Sequence, residues 1–265
     1  MPSLKPVVLI TGASSGIGAG FAEMFAAKGH EVFLVARRQQ RLEALANAIV
    51  KAGGKPPRVM AVDLTQSDAG DRIAAELQAC YLEPEIDVNS AGFGLLGPAE
   101  MLDRDEQLAM IAVNARVLTE LSLRWIDSLA RHRGGILNVG SVLGFVPGPG
   151  MAVYHATKAY VLSFSEALHE ELKARGVRVT VLCPGPVITE FRVQAHSFFA
   201  RKISRGVPRV VRDGYKGFIA GQRVVVPGFG NQVLTAAARL VPRRLLLSLI
   251  AGSERIDMQS RDNPR

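Results

Sequence analysis

The chain has 265 residues, 48% of them hydrophobic and 21% charged, which suits one large domain with a sizeable core and excludes a disordered chain. Its two cysteines, Cys80 and Cys183, exclude a disulfide scaffold, fit a reducing compartment and lack the neighbours that a metal site needs. The net charge of +8 is unevenly spread: residues 1–191 hold 18 Lys/Arg against 20 Asp/Glu, a net −2, whereas residues 192–265 hold 14 against 4, a net +10. Nucleic acid is not an expected partner, because no aromatic-interleaved basic motif accompanies that charge. An anionic cofactor, an acidic substrate or peripheral contact with a membrane surface would each answer it. The first apolar run, Val7 to Ile10, is too short for a signal-peptide core, and no stretch of about 18 apolar residues is present, so a cytoplasmic protein is expected.

Short β-branched runs at 7–11, 31–36, 58–62, 86–89, 135–140, 177–183 and 223–226 alternate with helical patterns near 16–28, 38–52, 68–80, 101–131 and 152–175. Strands separated by such helical segments make parallel crossovers. The expected fold is therefore α/β: a Rossmann-like, doubly wound parallel sheet of about seven strands, with helices on both faces, in a single domain. That domain is expected over 1–252, with a substrate lid at 186–222 where the rhythm loosens and a polar tail at 253–265.

The first strand runs into Thr11-Gly12-Ala13-Ser14-Ser15-Gly16-Ile17-Gly18 and then a helix. Glycines there let the backbone turn tightly and approach a pyrophosphate, and the helix N-terminus offers unpaired N–H groups to it. The loop lacks the Lys-Ser/Thr ending of a triphosphate-hydrolysing loop; an unliganded glycine turn is the competing reading. The second strand ends in Ala36-Arg37-Arg38, without the acid that would bind a ribose 2′-hydroxyl. Arginine suits a 2′-phosphate, so NADP(H) is expected over NAD(H); a solvated helix start is the alternative.

Further on, Tyr154 and Lys158 stand four residues apart, on one helical face. A nearby cation favours the phenolate, and the roughly 4 kcal/mol available between charges about 4 Å apart covers a lowering of about two or three pH units. Ser141, at the carboxyl edge of the fifth strand, would hold a substrate oxygen against Tyr154. His155, rotated about 100° from Tyr154, is expected at the surface or the substrate rim.

Together, Thr11-Gly12-xxx-Gly16-x-Gly18, Asp63-Leu64, Asn89-Ser90-Ala91-Gly92, Asn114, Ser141, Tyr154-xxx-Lys158 and Pro184-Gly185 closely resemble the short-chain dehydrogenase/reductase family, in its ordinary branch of about 250 residues. The resemblance implies that Tyr154 is the catalytic acid/base, that Ser141 orients the substrate oxygen, and that Lys158 lowers the tyrosine pKa and holds the nicotinamide ribose. It makes Asn114 the organiser of a proton relay. Asp63 and Leu64 would meet the adenine, and Asn89, Ala91 and Gly92 the adenosine ribose side. Val187 and Thr189, after Pro184 and Gly185, would meet the nicotinamide end. Gly12, Ser14, Ser15, Gly16, Ile17 and Gly18 form the phosphate loop, and Arg37, helped by Arg38, takes the 2′-phosphate. Hydride would pass directly between cofactor and substrate. Homo-dimers or homo-tetramers are expected by the same analogy.

Ile86-Asp87-Val88 runs straight into Asn89, where relatives carry two more apolar residues, so a short fourth strand is expected. Phe191, Val193, Phe198, Phe199 and Ile203, interleaved with Arg192, Arg201, Lys202 and Arg205, suit a hydrophobic or lipid-like carbonyl or alcohol. The expected function is an NADP(H)-dependent oxidoreductase interconverting such groups. The alternative is a catalytically silent NADP(H)-sensing regulatory protein on the same fold.

Overall fold

In the computed structural model, which describes residues 4–187, 206–242 and 247, the apolar runs become seven strands. They are β1 (Lys5–Thr11), β2 (Val32–Ala36), β3 (Arg58–Ala61), β4 (Leu82–Asn89), β5 (Gly135–Val139), β6 (Arg178–Leu182) and β7 (Val224–Val225). All pair in parallel, in the order β3-β2-β1-β4-β5-β6-β7. The order reverses between β1 and β4, which opens a crevice at the carboxyl ends of those two strands.

Side-chain alternation divides the core. Val8, Ile10, Val88 and Leu137 face α1 (Gly16–Ala27), α2 (Gln39–Lys51) and α8 (Val207–Ile219), through Phe21, Phe25, Leu42 and Phe218. Val7, Leu9, Phe33 and Val35 face α3 (Ala69–Ala79) and α5 (Val117–Arg124), through Ile73, Leu77 and Leu121. Ile136 and Val179 pack under α6 (Ile126–Arg131) and α7 (Ala152–Leu172). Because Val210, Val211 and Phe218 of α8 are core residues, this part of the expected lid belongs to the fold; residues 188–205 of it lie outside the described residues. A last helix, α9, covers Phe229–Leu240.

Two sequence expectations are corrected. The helical pattern at 101–131 divides into α4 (Arg104–Ile111), a π-helical turn at Ala112–Arg116, α5 and α6. Helix α4 starts on an N-cap, with Asp103 accepting from the Glu106 N–H at 2.8 Å. The fourth strand is not short either. It extends back to Leu82, passing Pro84 by a bulge: Val7 pairs with Pro84 and Val8 with Ile86, which leaves Glu85 as the extra residue. A proline cannot donate to a central ladder, and the bulge accommodates it.

The strand keeps its length by carrying Asp87 into the core. Asp87 is fully buried, and burial pushes its carboxyl up to about 7. The Asn89 amide donates to Asp87 Oδ2 at 2.7 Å and also lies within reach of Ser122 and Asn138; Asn138 in turn donates to Ser165. Among the described residues no helix is long and apolar enough to cross a membrane.

Candidate active site

The loop after β1 turns because Gly12 (φ +68°) and Gly16 (φ +57°) take left-handed conformations that favour glycine. A side-chain carbon on Gly12 would stand 2.7 Å from the Ala91 backbone, so its absence lets the β1 and β4 loops meet. Thr11 binds them together, its hydroxyl oxygen accepting from the Ser90 and Ala91 N–H groups at 3.2 and 3.3 Å. The N-terminus of α1 faces the resulting cradle. Arg38 already reaches into it, with Nη2 donating to the hydroxyls of Ser14 and Ser15, each at 3.0 Å. Asp63 is fixed by the Thr65 N–H at 3.0 Å and the Thr65 hydroxyl at 2.9 Å; the backbone bond, the hydroxyl and the nearby Arg37 hold its carboxyl below the ordinary range, against the effect of burial.

Across the crevice, Ser141 lies just past the end of β5, and Tyr154 and Lys158 rise from the first turns of α7; all three are buried. Ser141 accepts from the Leu143 N–H at 3.1 Å and hydrogen-bonds the Tyr154 phenol. Lys158 Nζ donates to the Val139 carbonyl at 2.8 Å and stands 5.8 Å from the Tyr154 ring centre. The expected lowering of the tyrosine pKa is not found in this geometry. Burial pushes the phenol up to about 12, only partly opposed by Ser141, and pulls the ammonium down from 10.5 to about 8. A phenol that stays protonated at neutral pH is a proton donor for a carbonyl oxygen, which is the reducing direction.

Residues 6–198 match the family profile described as short chain dehydrogenase. The chain belongs to the short-chain dehydrogenase family. It is 39% identical over 187 residues to a sulfoacetaldehyde reductase of Chromohalobacter salexigens, covering 69% of this chain and 73% of that one. It is 34% identical over 194 residues to a very-long-chain 3-oxoacyl-CoA reductase of Bos taurus, covering 71% and 62%. A solved short-chain dehydrogenase from Sphingobium yanoikuyae in complex with NADPH superposes with a TM-score of 0.77 at 32% identity, covering 96% of this chain and 95% of that one. This short-chain dehydrogenase is thus an oxidoreductase acting on alcohol or carbonyl groups, on a fold that binds NAD(P)(H).

The residues present fit such a dinucleotide. One cleft of about 530 Å³ is lined by Gly12, Ser14, Ser15, Gly16 and Ile17 of the first loop, by Arg37 and Arg38, by Asp63 and Leu64, by Ala91 and Gly92, and by Ser141, Tyr154, Lys158, Pro184, Gly185 and Val187. When bound there, the cofactor supplies or accepts the hydride. Ser14, Ser15 and the N–H groups of α1 would hold its phosphates, the two arginines the adenosine end, and Lys158 the ribose hydroxyls.

Three expected site residues stand elsewhere. Asn89 points into the core, its amide used by Asp87, Ser122 and Asn138, and Ser90 takes its place on the cleft wall. Gly18 lies beneath the loop, where a side chain would strike the Gly12 carbonyl; it permits packing and does not line the cleft. Asn114, fully buried in the π turn, donates to the Phe93 carbonyl at 2.9 Å and to the Thr157 hydroxyl at 3.1 Å, and accepts from the Phe93 N–H at 3.1 Å. It positions the β4 loop and does not itself reach the cleft. Thr189 lies outside the described residues.

His155 is also corrected: it is buried, not at a rim. Its Nδ1 is 2.7 Å from the Val146 carbonyl, and a side chain on Gly148 would collide with the ring. Sequence reasoning missed Phe93 and Leu143, which line the cleft and pack with Leu95, Met110, Met151 and Val153 around Tyr154. Their only sequence signal was adjacency to the Asn-Ser-Ala-Gly motif and to Ser141.

Proposed function

We propose that this short-chain dehydrogenase is an NADP(H)-dependent reductase of a hydrophobic carbonyl compound, reversible to the alcohol. The observation that carries the cofactor preference is Arg38, seated on Ser14 and Ser15 at the end of a second strand without an acid. The substrate class is supported by Phe93 and Leu143, which line the cleft and are backed by Leu95 and Met151 beside Tyr154, and by the resemblance to a very-long-chain 3-oxoacyl-CoA reductase. Tyr154 gives its proton to the developing alkoxide, and Ser141 holds that oxygen.

The protein works in the cytoplasm as a homo-dimer or homo-tetramer. Exposed Leu108, Ile111 and Leu123 on α4 and α5 support a subunit contact. The basic C-terminal quarter touches membranes peripherally. The sensing alternative has no observation in its favour, since a sensor would not need Ser141, Tyr154 and Lys158 together.

The test is consumption of NADPH and of NADH with a panel of ketones and aldehydes graded by chain length and charge, run beside Tyr154→Phe. The expected result is turnover that prefers NADPH and long apolar carbonyls and drops by about 10²- to 10⁴-fold in Tyr154→Phe, with NADPH binding unchanged. Turnover retained by the variant would overturn the assignment of Tyr154.

A further inference from the structure

Helix α9 is built inside out. Its buried side chains are polar: Asn231 and Thr235 are each 6% exposed, Asn231 donating to the Pro227 carbonyl at 2.8 Å and Thr235 to the Asn231 carbonyl at 2.9 Å. Its large apolar side chains face outward, with Phe229 78% exposed, Val233 52%, Leu234 63% and Leu240 85%. At about 100° per residue these four fall within an arc of about 140°, opposite Asn231 and Thr235. Core packing among the described residues does not explain a helix of this pattern, and its apolar face is open to a surface outside them.

Charge selects the occupant. Residues 206–242 hold five Lys/Arg against one Asp, and Arg209, Arg212 and Lys216 of α8 are exposed, Lys216 lining a shallow cleft shared with Gln232 of α9. A second copy seated symmetrically on α9 would bring two such basic regions together, whereas an anionic bilayer neutralises them. The helix also touches the site: Asn231 packs so closely on Gly185 of the cleft wall that a side-chain carbon there would stand 2.5 Å from its amide.

We propose that α9 is an interfacial helix that lays Phe229, Val233, Leu234 and Leu240 into the surface of an anionic phospholipid bilayer. This deepens the membrane contact proposed above, and its argument stands on the apolar face of α9 and the basic residues of α8.

The experiment is sedimentation of the full chain with vesicles of phosphatidylcholine, with and without a large fraction of phosphatidylglycerol, beside Phe229→Asp/Leu234→Asp. The expected result is salt-sensitive binding to the anionic vesicles that falls at least about tenfold in the variant, while its NADPH binding is retained as proof of folding. Phe229→Ser/Leu234→Ser serves if the aspartates impair folding, and Phe229→Leu/Leu234→Phe should keep binding. Absence of vesicle binding, or equal binding by the variant, would overturn the proposal. So would a wild-type dimer that the variant converts to monomer without any affinity for vesicles. Vesicle binding without turnover of apolar carbonyls would leave this inference standing and sink the substrate reading, and the reverse result would do the opposite.

Discussion

A buried phenol pushed up to about 12 and an ammonium pulled down to about 8 set the pH behaviour of this site. Reduction needs Tyr154 protonated, which holds throughout the neutral range, and Lys158 charged, which fails as the pH rises through about 8. The rate of carbonyl reduction is therefore expected to decline above about pH 8, well before the phenol titrates. Alcohol oxidation, which needs the phenolate, should instead gain with pH. Rates measured in both directions across this range check the assignment, and a flat reduction profile would remove Lys158 from it. At the other end of the cleft, Arg38→Ala removes the guanidinium seated on Ser14 and Ser15. Charge-assisted bonds of about 1.5–3 kcal/mol imply a rise of about 10- to 100-fold in KM for NADPH with little change for NADH. Ser141, Tyr154 and Lys158 were legible in the sequence because strand end and helical spacing place them without help from distant residues. Asn89 and Asn114 were not. Whether each faces cleft or core depends on partners 33 to 49 residues away for Asn89, at Ser122 and Asn138, and on Phe93 and Thr157 for Asn114.

At the scale of elements, the central strand β4 keeps its length at the cost of an acid in the core. Asp87 has an ordinary carboxylate value of 3.8 when unfolded and about 7 when folded, so between those values the native state binds the extra proton. Stability should therefore fall as the pH rises from about 4 to about 7 and level off above that. The fall attributable to this group would be on the order of 4 kcal/mol at most. Melting temperatures of the wild type and Asp87→Asn across that interval test it: the variant should lose this part of the pH dependence and be the more stable at neutral pH. The alternation of strands and helices was legible because each strand carries its own apolar run. The bulge at Pro84 was not, because it follows from pairing with Val7 and Val8, about 77 residues earlier. The inward turn of His155 depends in the same way on a bare backbone at Gly148, which helical spacing alone does not reveal.

At the scale of the molecule, the cleft is walled by loops from β1, β2, β3, β4, β5 and β6, so whatever fills it ties together both halves of the sheet. NADPH at about 100 times its Kd should stabilise the protein by about 2.7 kcal/mol, raising the melting temperature by roughly 5–10 °C. NADH at the same concentration should raise it less, and an equal rise would contradict the proposed preference. The doubly wound parallel plan was legible from the alternation of strands and helices, but the outward face of α9 was not, since an amphipathic pattern does not say which side meets the core.

The single hydroxyl of Thr11, bridging to Ser90 and Ala91 across 79 and 80 residues, has a kinetic consequence. The β1–β4 seam on which the cleft rests closes only when segments that far apart in the chain have found each other, and long-range pairing of this kind is slow. During refolding, helical signal should recover first and the capacity to bind NADPH last, so that the cofactor reports when the two halves of the sheet have joined.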